Sequence, residues 1–142
     1  MTMNQAILTP ALILILWTFV MAMWMYATRI PAFKKARINA AKMKEKSEMD
    51  VLPIEVRRIA DNYNHLHEQP VIFYALVFYS ALSGTMTDWL VWAAWAYVAL
   101  RIVHSLIQAL WNFIPARFFV FIASSIVLLF MAGVNIGALL AG

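Results

Sequence analysis

Arg101, His104, Ser105, Gln108 and Asn112 recur at spacings that a helix brings to one side. At about 100° of turn per residue, all five fall within a single arc of about 100°. Apart from Tyr97 they are every strongly polar side chain between Trp89 and Phe113, in a stretch otherwise built from Ala, Val, Leu, Ile and Trp. Upstream, Arg57, Asp61, Asn64, His65 and Glu68 share one helical face, and Tyr79 and Ser83 continue it. Downstream, Arg117, Phe121, Ser124 and Asn135 lie on a common stripe. Three polar stripes on three apolar segments thus converge on one site.

Two chemistries fit that convergence. In the first, Glu68 and Arg101 form a buried ion pair that fixes helix register, with imidazoles and amides satisfying the remaining hydrogen bonds. In the second, the same groups line a pocket for a charged ligand. Two arginines, two imidazoles and several amides exceed what register requires, and an excess of donors points to an anion that carries carboxylates. No metal is expected. His65 and His67 are two apart and point to different helix faces, and Arg101 would repel a cation from a set made of His65, Glu68 and His104. The chain has no Gly-rich phosphate loop, nucleophile elbow or zincin motif. It has no cysteine either, so disulfides, thiolate zinc sites and cysteine nucleophiles are excluded.

The elements that hold these residues are apolar. Of 142 residues, 64% are hydrophobic and 13% charged, and the mean hydropathy is +0.76. A soluble domain needs about a quarter of its residues charged, so a soluble enzyme is excluded, and a disordered chain has the opposite composition. The expected fold is all-α: an integral membrane four-helix bundle, one transmembrane domain over 1–142 with spans near 6–27, 62–85, 89–113 and 117–140. The second apolar stretch, from Pro70 to about Thr85, continues a helix begun earlier, for which Asp50 provides a cap and Pro53 an opening. The first span is not a signal peptide: no Lys or Arg precedes it and its apolar run is too long.

Ten of the eleven basic residues fall on one side of this arrangement, nine in the 28–60 loop and one at Arg117, while Arg101 lies within the third span. That side is expected to be cytoplasmic, with both termini outside. The loop's charge suits anionic lipid headgroups. Nucleic acid is not an expected partner, because Glu45, Glu48 and Asp50 interrupt the basic run and no aromatics interleave. Gly133, Gly137 and Ala141, four apart, would let another helix approach closely, within the subunit or between subunits.

These residues resemble those of the MAPEG superfamily, the membrane-associated proteins in eicosanoid and glutathione metabolism, and the chain looks like a bacterial member. The stretch from Arg58 to Glu68-Gln69-Pro70, followed by Phe73, is similar to the family's second-helix signature of Arg, Asn and Glu before a Pro and an aromatic run. Arg101-Ile-Val-His104, continuing to Pro115-Ala-Arg117, is similar to the third-helix signature of microsomal prostaglandin E synthase. The resemblance implies a homotrimer in the inner membrane with glutathione bound between subunits, open to the cytoplasm. It implies that Glu68 receives the ligand's amino group, that Arg101 and Arg58 contact its carboxylate or peptide groups, and that His104 hydrogen-bonds nearby. Arg117 matches the arginine proposed to stabilise the thiolate, and Arg29 a further ligand arginine.

The pattern also shows departures. His65 stands where the family has asparagine, with Asn64 beside it, and Gln108 and Phe121 stand where it has tyrosines, which leaves fewer hydroxyl donors near the thiol. The expected function is a glutathione-binding transferase or peroxidase acting on lipophilic electrophiles that arrive through the bilayer. The alternative is a non-catalytic lipid- or protein-binding scaffold of the same fold. A transporter is a weaker third reading, because the polar stripe of the third span thins out above Arg101.

Overall fold

The structure, a computed structural model, describes residues 2–142. Helix α1 runs over Met3–Lys35 and opens on a capping box, in which Thr2 Oγ1 accepts from the Gln5 backbone N–H and Gln5 Oε1 from that of Thr2. Its 33 residues amount to about 50 Å of helix at 1.5 Å each, longer than the hydrocarbon core of about 30 Å. The helix therefore continues beyond the expected end near residue 27 and closes on Lys34 and Lys35, whose charges suit its C-terminal dipole. Ile7, Leu14 and Met21, with Ala11 and Met25, bury one side of α1 at seven-residue spacing. The other side is equally apolar and exposed, with Leu12, Phe19 and Met23 on it.

Short 3-10 turns at Ala40–Lys42 and Lys46–Val51 lead to α2, Ile54–His65. Pro53 stands just before its first residue. Asp50 accepts from Arg57 Nη1 at 3.3 Å across that junction rather than capping the helix. Helix α3 covers Gln69–Ser83. The single second span expected over 62–85 is thus two helices, broken at Leu66–Glu68. Pro70 accounts for the break: it has no N–H to donate, and its ring would clash with the carbonyl of Leu66 four residues back. The intervening backbone closes in tight turns, His67 N–H to Asn64 O at 2.9 Å and Glu68 N–H to His65 O at 3.3 Å.

Helix α3 stops at Gly84, whose φ of +71° is the left-handed cap that glycine adopts without a Cβ penalty. Thr87 caps α4, Asp88–Leu106, through its hydroxyl and the Leu90 N–H. Helix α4 widens into a π turn over Ile107–Trp111 and reverses at Asn112, φ +53°. Helix α5 then runs over Ile114–Ala141 with Pro115 in its first turn. Three of these helices, α1, α4 with its π turn, and α5, are long and apolar enough to cross a membrane. Helix α3, at 15 residues, falls short of the roughly 20 that a crossing takes.

Helix α1 packs on α2, α3 and α4, α5 lies along α4, and α3 also touches α5. Phe73 stacks on Tyr97 with centroids 4.5 Å apart at the middle of this bundle. Lipid gives no hydrophobic drive between helices, so such packing and interhelical hydrogen bonds must hold them. One polar cluster does so near the Gly84 turn. The Asn135 amide donates to Ser80 Oγ at 2.9 Å, and Thr85 Oγ1 donates to Asn135 Oδ1 at 2.5 Å. A Cβ on Gly133 or Gly137 would meet nothing within 4 Å, so this small-residue stripe is not used for close packing within the chain.

Candidate functional site

The polar face of α4 is turned inward. Arg101 is 0% exposed and His104 2%, and Ser105 and Gln108 are likewise buried. Above them the α2–α3 break decides which neighbour they meet. Gln69, the first residue of α3, points into the bundle and forms a hub. Its Oε1 accepts from Arg101 Nη1 at 3.4 Å, from the Tyr97 hydroxyl at 3.4 Å and from Ser124 Oγ at 3.1 Å, while Nε2 donates to Ser125 Oγ at 2.7 Å.

Glu68 lies elsewhere. Its side chain is 66% exposed, and Oε2 accepts from His65 Nδ1 at 2.7 Å. The position opposite Arg101 expected of Glu68 is filled by its neighbour, because the break before Pro70 offsets α3 from the phase of α2. Arg101 therefore has a neutral amide as its hydrogen-bond partner, and no carboxylate within ion-pair distance among the described residues.

A cleft of about 430 Å³ opens beside this hub, lined by His65, His104, Ile114, Arg117, Phe118 and Phe121. The two imidazoles lie 5.0 Å apart, and the His65 ring is 5.7 Å from that of Phe121. The Arg101 guanidinium sits over the Phe121 ring, 6.0 Å from its centroid. Arg117 is held by Asn112, the residue that reverses the chain after the π turn. The π turn thus has a use: it ends α4 so that Asn112 reaches the first turns of α5.

The remaining expected residues are not on the cleft wall. Asn64 is exposed, and Arg58 is half-buried on α2 with its Nε unpartnered. Arg29 lies at a separate small cleft with Met49, Asp50 and Arg57, its Nη2 3.1 Å from Met49 Sδ. Gln108 is buried a turn beyond His104, with Oε1 unpartnered.

Two residues escaped the sequence reading. Gln69 is the hub just described, and Pro70 beside it signals a break or a kink without saying which. Asn62 is 0% exposed with neither amide atom partnered. It is in phase with the buried Ile59 and Leu66, so a polar residue on the apolar face of α2 was the mark to look for.

Buried polar groups are nearly always hydrogen-bonded, and exceptions need an explanation. Six of the twelve such atoms among the described residues lie on α4, its π turn and the start of α5: Arg101 Nε and Nη2, His104 Nδ1, Ser105 Oγ, Gln108 Oε1 and Arg117 Nε have no partner. With two guanidinium charges among them, they fit an anion better than a cation. No group of three or more His, Asp or Glu arranged to hold a metal occurs among the described residues.

Neither a curated protein nor a solved structure matches the chain. The family model for MAPEG does, over residues 7–137, which is nearly the whole length and reaches into every helix described above. The chain belongs to the MAPEG family.

Proposed function

We propose that the chain binds glutathione, or a similar anionic thiol, against Arg101 and Arg117, and transfers that thiol to lipophilic electrophiles or uses it to reduce them. The observation that carries this reading is Arg101, a fully buried guanidinium whose hydrogen-bond partner is a neutral amide. Burying a charge without a counter-charge costs several kcal/mol per ion, and a ligand carboxylate meeting Nε and Nη2 would supply one. The bound ligand would provide the nucleophilic thiol.

Arg117 and the imidazoles face the same cleft, and a guanidinium beside a thiol favours its thiolate. Ile114, Phe118 and Phe121 form an apolar wall that suits a lipophilic second substrate. Glu68 keeps Oε1 available for the ligand's amino group, and Arg58, Asn64, Gln108 and Arg29 are secondary candidates for contact. Arg29 and Arg58 lie away from the cleft of this chain, which agrees with a homotrimer whose ligand lies between subunits. The charge distribution supports an arrangement with loop 28–60 in the cytoplasm and both termini outside.

Calorimetric titration of the detergent-solubilised protein with glutathione tests the reading, and no binding up to millimolar concentration overturns it. The apolar wall, with Phe121 and Gln108 in place of hydroxyl donors, favours a second reading as a non-catalytic lipid-binding scaffold. A glutathione conjugation assay with a generic electrophile separates the two: turnover supports the transferase, and fatty-acid binding without turnover supports the scaffold.

A further inference from the structure

His65 stands between a carboxylate and the cleft. Its Nδ1 lies 2.7 Å from Glu68 Oε2, and its ring lines the cleft that Arg117 also faces. A carboxylate only accepts hydrogen bonds, so in the neutral ring Nδ1 carries the proton and Nε2 keeps its lone pair. This is the arrangement of an oriented base: one nitrogen held by a carboxylate, the other open to a reacting group.

The charged and titratable groups around the ring are Glu68, bonded to Nδ1, His104 of α4 at 5.0 Å, Arg117 of α5 on the same cleft, and Arg101 of α4. Arg101, Arg117 and Glu68 can therefore supply charge while His65 moves a proton. An exposed i,i+3 pair kept only to brace a helix end would have no need to put its imidazole on the wall of a cleft.

We propose that His65, oriented by Glu68, is the general base that takes the proton from the thiol and the general acid that returns it to the product; this rests on the glutathione reading. The S–H bond breaks as Nε2–H forms, and the electron pair stays on sulfur. That pair makes the new bond to the electrophilic carbon, and the displaced pair, on a leaving atom or carbonyl oxygen, takes the proton back from Nε2. No oxidant or further reactant is needed.

The test uses full-length wild type, His65→Gln and His65→Asn in detergent, the last restoring the amide of the family pattern, with helical content checked by circular dichroism. Glutathione binding is followed by calorimetry in buffers of different ionisation enthalpy, thiolate formation by ultraviolet difference absorbance, and kcat/KM across pH. Wild type is expected to form the thiolate at neutral pH. Both variants are expected to bind glutathione within a few-fold of wild type but to lose the neutral-pH thiolate signal. Their kcat/KM should fall about 100-fold, in line with general acid–base catalysis. Glu68→Gln should displace the acid limb of the pH profile, which removal of a merely structural brace would not do. Variants that bind and keep both the thiolate signal and the acid limb overturn the proposal. Absence of binding by wild type overturns the glutathione reading, and the proton role with it.

Discussion

Arg101 owes its position to neutral neighbours. Gln69 Oε1 receives three donors, from Arg101, Tyr97 and Ser124, and its Nε2 reaches Ser125. Gln69→Ala would strip that acceptor from all three at once. Leaving buried donors unmatched costs about 1–3 kcal/mol, so the thermal midpoint in detergent should fall by several degrees, and glutathione binding should weaken with it. Asn62 makes the opposite case. Both its amide atoms are buried without partners, so Asn62→Leu should raise the thermal midpoint of the ligand-free protein. A lowered midpoint would show that the amide has partners within the fold.

Among the elements, the break between α2 and α3 does the most to shape the site. Pro70→Ala removes the steric cause, so the two helices should tend to join, rotating Gln69 away from Arg101. Because the natural chain has no cysteine, spin labels at two introduced cysteines on α2 and α3 would report the changed separation directly. The break also marks what residue patterns disclose. The apolar helices and the inward polar face of α4 followed from composition and spacing, because a bilayer demands helices with satisfied backbones and a charge within it is turned inward. Glu68 falls opposite Arg101 only if a constant turn of about 100° per residue runs unbroken from Arg57 to Glu68. A proline in the first turn of a new helix and one kinking a continuous helix look alike in sequence, so the shift in phase by one residue was not evident. The Asn135 cluster, linking α5 to Ser80 and Thr85, offers a separate check. Interhelical hydrogen bonds in membranes average about 0.6 kcal/mol and reach about 1.7, so Asn135→Ala should cost about 1–2 kcal/mol in resistance to denaturing detergent without changing glutathione affinity. Outside the spans, the backbone N–H groups of Glu45 and Lys44 hold the Glu48 carboxyl below its usual range. A carboxyl with a lowered folded pKa adds stability above its unfolded pKa and loses it as pH falls through the folded value. Amide protection at Lys44 and Glu45 should therefore be present at neutral pH and disappear in acid.

For the whole molecule, the proposed four-pass arrangement rests on the distribution of charge. With Lys44→Cys and Gly142→Cys made singly, a membrane-impermeant maleimide should label Lys44→Cys from the cytoplasmic side and Gly142→Cys from the other. Labelling of both from the same side would contradict the four-pass arrangement. The buried Arg101 cation, with no carboxylate partner among the described residues, is the centre of the proposed site. Glutathione titrated calorimetrically into wild type and Arg101→Gln side by side addresses it most directly. A hydrogen bond to a charged group contributes about 1.5–3 kcal/mol, so wild type should bind below millimolar and Arg101→Gln about 10- to 100-fold more weakly. Equal binding by the two proteins, or none by wild type, would contradict the account.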